Sequence, residues 1–129
     1  MSVHYEDETF KLQVFVSGFS NNAWLLTDKA TGESLIIDTP DNPTELLAAA
    51  SETNVVGILI THNHADHLQG FDDVYARHTV PVGIGANDLS AIASRLSAGT
   101  IDVAQDSSIP FGGNSLTTIA TPGHTPGST

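Results

Sequence analysis

Six apolar residues, Val55-Val56-Gly57-Ile58-Leu59-Ile60, run without a break into Thr61-His62-Asn63-His64-Ala65-Asp66-His67. A short, continuous, β-branched run reads as a strand buried inside a sheet. The polar cluster therefore begins where that strand ends, at the carboxyl edge of a sheet, which is where α/β proteins place their chemistry. Packing does not explain three histidines and an aspartate there, because the run before them already supplies the apolar strand. A solvated charged face would favour Lys and Glu instead. Side chains two apart in an extended segment point the same way, so His62 and His64 can grip one ion, and Asp66 and His67 follow at a turn. A second turn-rich segment, Thr121-Pro122-Gly123-His124-Thr125-Pro126-Gly127-Ser128, carries a further histidine. Imidazole and carboxylate are ligands that zinc and similar cations accept, so the two segments point to a metal centre. His4, in an acidic N-terminal tail, and His78, after Arg77 near a helix end where a cation suits the macrodipole, read as ordinary surface or structural residues.

Around that strand the pattern predicts further elements. Strands are expected over 11–17, 23–27 and 34–38, the last two joined by a Gly-containing turn over 29–33 as a hairpin. Asn42 as cap, Pro43 at the first helical position and Glu45 at the capping-box position predict a helix over 43–53. A short helix over 70–77, a strand over 80–84, a helix over 87–98 closed by Gly99, extended pieces over 101–104 and 107–109, a turn over 111–114 and a last strand over 115–120 follow. This order predicts one domain with a mixed sheet and helices on one face.

Charge narrows the function. The net charge is −11 with only 4 Lys plus Arg, so nucleic acid, which needs a basic footprint, is not the expected partner. An anionic membrane surface is disfavoured for the same reason. No apolar run approaches a membrane span, and the acidic start has no secretory h-region, so a cytoplasmic location is expected. The chain has no cysteine, which excludes thiolate zinc ligands and disulfides.

Thr-His-x-His-x-Asp-His after an apolar strand, followed by Thr-Pro-Gly-His-Thr-Pro-Gly-Ser, resembles the metallo-β-lactamase-fold superfamily, and within it the glyoxalase II-like metallo-hydrolases. Asn22-Ala23-Trp24-Leu25-Leu26 and the end of the Ile36-Ile37-Asp38 strand fall in the family's order. The resemblance implies an α/β fold of the αββα sandwich type. It also implies that His62, His64 and His124 hold a first metal and that Asp66 and His67 contribute to a second. Asp66 would orient or deprotonate the attacking water. Asp38 is either support for a histidine ligand or a plain strand-end carboxylate. Gln69 stands where the family commonly has Gly. The family supplies a bridging aspartate and a further histidine from a second half of its domain, whereas only Thr125–Thr129 follow His124 here, and Asp102 and Asp106 do not occupy the bridging position. Residues 1–129 are thus expected to form the N-terminal part of a single such domain, with the second sheet missing.

Three histidines with an open fourth position match a catalytic zinc pattern, and a cation of that kind lowers the pKa of bound water to about 7. The expected activity of the parent protein is hydrolysis of a thioester, lactone or similar acyl ester of a small-molecule substrate, with one or two zinc ions, or iron or manganese. Two other readings stand beside it. Related folds bind one iron and oxidise glutathione persulfide. Alternatively, the short chain is a non-catalytic metal-binding half-domain that needs a complementary chain or self-associates through an uncovered sheet face.

Overall fold

The structure, a computed structural model, describes residues 2–17, 21–39, 43–61, 71–85, 96, 99–101, 103–104 and 106–119. Its strands are β1 (Ser2–Glu6), β2 (Phe10–Ser17), β3 (Asn21–Asp28), β4 (Glu33–Ile37), β5 (Asn54–Ile60), β6 (Val82–Ile84), β7 (Thr100–Ile101), β8 (Ser108–Phe111) and β9 (Asn114–Thr117). Two helices are described, α1 (Thr44–Ala50) and α2 (Phe71–Arg77). β1 to β7 form one mixed sheet in sequence order. It is antiparallel from β1 to β4 and parallel from β4 to β7. The expected β3–β4 hairpin is present, with Trp24 opposite Ile37 and Gly32 at a φ of 78° in its turn.

The sheet buries both faces. On one, Leu46, Leu47 and Ala50 of α1 and Phe71, Val74 and Tyr75 of α2 pack on Phe15, Leu25, Ile36, Ile58, Ile60 and Val82. The Phe71 and Tyr75 rings stack with centroids 5.3 Å apart. Residues i and i+4 share a helix face, which is why this pair forms. The mixed sheet with helices on one face is as the sequence pattern predicts, and β5 is the interior strand that its apolar run implies.

Several expectations need correction. The residues around His4 are not a tail: β1 pairs antiparallel with β2, with a register shift between Val3 and Tyr5. Asp7 makes that hairpin, its Oδ1 accepting from the backbone of Thr9 at 2.7 Å and of Phe10 at 3.0 Å. Those bonds hold its carboxyl down at about 2. α1 is shorter than 43–53. Pro43 is the N-cap rather than the first helical residue and makes no side-chain cap bond, and Asn42 lies outside the described residues. The hydroxyls of Ser51 and Thr53 take the Ala48 and Ala50 carbonyls, which ends the helix early. β6 begins at Val82, because Pro81 has no N–H to give a ladder. Of 87–98 only Leu96 is described, packed against the helix-side core. β8 runs to Phe111 and β9 starts at Asn114, which leaves Gly112 and Gly113 as the turn.

The opposite face departs furthest from expectation. It carries the start of a second layer: the β8–β9 hairpin and Val103 lie on it, with Ile109 and Phe111 packed on Leu26, Leu35 and Leu59. The close approach depends on Gly83, where a Cβ would stand 2.7 Å from Val103 Cγ1 and 2.9 Å from Leu59 Cδ2. Cover is incomplete: Phe10, Leu12, Trp24, Leu26, Ile37 and Phe111 line an apolar cleft of about 400 Å³ beside β9.

His78 is also not the helix-end cation that its position suggests. Its N–H continues the ladder of α2 to Val74, but its Nε2 is buried without a hydrogen-bond partner. Burial first, then the Arg77 charge, push its pKa below the ordinary value. An imidazole whose pKa falls on folding binds protons more readily in the unfolded chain. Its neutral form therefore costs nothing above about pH 6.5, and stability is lost as pH falls through that value toward the lowered one. We expect His78→Gln to flatten this part of the pH dependence. Melting curves at pH 7.5 and pH 5, both in excess chelator so that other histidines titrate equally, test it. An unchanged difference between the two pH values would assign the dependence elsewhere.

Candidate metal centre

The metal-centre residues His62, His64, Asp66, His67 and His124 all lie outside the described residues. What the structure describes is how their segments are launched. β4, β5 and β6 run parallel, so their carboxyl ends share one edge of the sheet. β5 ends at Ile60, and Thr61 stands immediately before His62.

Thr61 is held by a carboxylate 23 residues earlier. Its backbone N–H donates to Asp38 Oδ1 and its hydroxyl to Asp38 Oδ2, both at 2.8 Å. Asp38 follows the last paired residue of β4, adopts a φ of 65° and is buried. Asp is among the few residues that tolerate this left-handed conformation. Its own N–H donates to Leu59 O at 2.7 Å. The chain thus turns out of β4 while the carboxylate faces back across the end of β5 and fixes it. Asp38 thus fixes Thr61, the residue before His62, and its expected role as support for a histidine ligand falls on residues outside those described. Thr61 itself was not singled out in the sequence, because a threonine before a histidine carries no signal without its partner.

β9 and the two residues after it, Thr118 and Ile119, lie beside the end of β5. Thr118 is buried and fastened, its N–H donating to Ser107 O at 2.9 Å and its hydroxyl to Ala104 O at 2.5 Å. Thr118 and Ile119 line a cleft of about 380 Å³ together with Ile37, Ile60, Thr61 and Gly83. Ile119 is 62% exposed there. Thr61, which precedes the first histidine motif, and Ile119, which lies two residues before Thr121, therefore line one cleft, and the histidines themselves lie outside the described residues. Among the described residues no three of His, Cys, Asp and Glu converge. The donor set that the sequence offers, four imidazoles and one carboxylate, suits a borderline cation such as zinc.

Asp38→Ala should take away the acceptor of both Thr61 donors and place alanine at a left-handed φ. Each effect costs about 1–3 kcal/mol. Asp38→Asn keeps one acceptor and tolerates the φ, so it should cost less. Chemical denaturation orders the two variants, and equal losses would show that the carboxylate does not hold the strand end.

Comparison with known proteins agrees with this architecture. A family model described as "Metallo-beta-lactamase superfamily" matches residues 16–129. A hydroxyacylglutathione hydrolase of Roseobacter denitrificans is 35% identical over 108 residues, 83% of this chain and 41% of that protein. One of Hahella chejuensis is 30% identical over 85% of this chain and 41% of its own length. The chain thus spans about two fifths of these curated relatives. Among solved structures, a metallo-beta-lactamase from Staphylococcus aureus superposes with a TM-score of 0.77 at 24% identity, covering 95% of this chain and 38% of that one. ETHE1 from Myxococcus xanthus gives 0.74 at 23% identity, covering 91% and 51%. Both structural likenesses are of fold.

Proposed function

This chain belongs to the metallo-beta-lactamase superfamily, and from that premise we propose that it carries the metal-binding part of a metal-dependent hydrolase for a thioester, lactone or similar acyl ester. The observation that supports the reading is that Thr61, next to His62 in sequence, and Ile119, five residues before His124, line one cleft at the carboxyl edge of the parallel strands. The identity to hydroxyacylglutathione hydrolases supports acyl hydrolysis as the class.

In this reading His62, His64 and His124 hold a first ion, and Asp66 and His67 contribute to a second. A bound zinc ion would supply Lewis acidity toward water and toward the acyl carbonyl. Asp66 orients the attacking water and takes its proton. Asp38 acts through Thr61, keeping the start of the histidine motif in register with β4. A small-molecule substrate would enter over Ile37 and Ile119, whose apolar surfaces suit the carbon chain of an acyl group. Among the described residues no helix is long and apolar enough to cross a membrane.

The open cleft beside β9 belongs to the same proposal. Its apolar lining supports the reading that further polypeptide covers this face in the working enzyme and that a second copy does so when the chain is alone. Apolar area left in water costs about 25 cal/mol per Å², and contiguous patches of that kind mark interfaces. The isolated chain is expected to bind hydrophobic dye, to self-associate more strongly as salt screens its net charge of −11, and to hydrolyse acyl esters poorly. Light scattering at low and high salt, metal analysis and a panel of thioesters and lactones test the whole reading. A dye-silent monomer at all salt concentrations would remove the uncovered face, and stoichiometric iron with oxygen uptake would replace hydrolysis by persulfide oxidation.

A further inference from the structure

β4 is five residues long, at about 3.3 Å per residue, and its two ends are used differently. The carboxyl end holds Thr61 through Asp38. The amino end holds the tip of the β8–β9 hairpin. Asp28, 2% exposed, accepts from the Thr31 hydroxyl at 2.7 Å and its N–H at 3.0 Å on one carboxylate oxygen, and from Asn114 Nδ2 on the other at 2.5 Å. Asn114 Nδ2 also reaches Thr9 O, and Glu33 Oε1 accepts from the N–H of Gly112 at 2.8 Å. Gly112 sits at a φ of 60°, and a Cβ there would run into the Asp28 carboxylate. The Thr31 and Asn114 donors keep the Asp28 carboxyl below its usual range, so the clasp is ionic on the acceptor side.

We propose that Asp28, Glu33 and Asn114 form a clasp that positions β9, and with it Ile119 beside Thr61 on the cleft from which the chain continues in sequence to His124 and His62. Metal affinity then depends on side chains at the opposite end of β4 from Asp38. The inference rests on the metal-centre reading given above. Its physical basis is that a hairpin of two four-residue strands is marginal by itself. The position of β9 must come from what fastens it. At its base the fastener is Thr118, and at its tip it is the clasp. Ile109 and Phe111 supply burial between these points, but apolar contact is non-directional and fixes the register of the hairpin on the sheet less sharply than the paired hydrogen bonds do. These are positioning residues. None of them lines the cleft shared by Thr61 and Ile119.

The test uses the purified 129-residue chain and zinc alone, with affinity read by chelator competition and stability by melting in excess chelator. Asn114→Ala is expected to weaken zinc binding about 10-fold, the lower end of what supporting partners contribute at metal sites. Leu46→Ala, which empties a buried position under α1 on the other face, controls for stability. It should lower the melting temperature at least as much yet leave affinity within about twofold, as expected for a distant independent site. The double exchange Asp28→Asn with Asn114→Asp reverses donor and acceptor and should recover most of the affinity. Wild-type affinity in Asn114→Ala, or an equal loss in Leu46→Ala, would overturn the clasp. Zinc retained by His62→Ala would overturn the metal reading, and the clasp with it.

Discussion

His62→Ala should abolish most metal binding by this chain. His62 is the first donor after the β5 strand end, one residue beyond Thr61, which Asp38 holds at two points. In the proposed centre it is one of three neutral imidazoles, and three such ligands make a competent site for zinc whereas Asp66 and His67 alone do not. The loss should exceed the roughly 10–100-fold that supporting partners account for. About one tightly held ion per chain is expected, since a second ion would have only Asp66 and His67 from these residues. Metal analysis after gel filtration measures both quantities. Two tightly bound equivalents in a monomer would refute the count, and an undiminished equivalent in His62→Ala would refute the ligand.

Asp66→Ala should separate binding from chemistry. If Asp66 orients the water and accepts its proton, its removal from a version carrying the full domain should lower kcat by about 10²–10⁴-fold, the usual contribution of a positioned general base. The first ion should stay, because its three imidazoles are untouched. Kinetics and metal content must therefore be measured on the same preparation. Turnover unchanged with metal kept would remove Asp66 from the mechanism. Turnover and metal lost together would make it a ligand of the first ion instead.

What could be read from the sequence was local and periodic. The apolar run 55–60 announced an interior strand because an uninterrupted β-branched stretch is stable only with both faces covered, and β5 lies between β4 and β6. The turn with Gly32 announced the β3–β4 hairpin, whereas the spacing of His62, His64, Asp66 and His67 carries the expectation of a metal site on residues outside those described. β1 was hidden since its acidic residues read as a solvated tail. Pairing with β2 overrides that reading by satisfying a row of backbone groups. α1 was overextended because hydroxyl groups of Ser51 and Thr53 compete for its last carbonyls.

The second layer was beyond the reach of pattern. Nothing local marks Ile109 and Phe111 as partners of Leu35 and Leu59, nor makes Gly83 the place where Val103 crosses. Asp38 could be read as support or as a plain turn until its carboxylate was found on Thr61, 23 residues away, and the clasp joins Asp28 to Asn114 across 86. The sequence by itself determined the interior strand and the hairpin turn, since both follow from local side-chain pattern and turn chemistry. Only the tertiary structure decided which carboxylate holds which strand end, because such pairing depends on where the sheet's register brings distant backbone and side-chain groups within hydrogen-bonding distance.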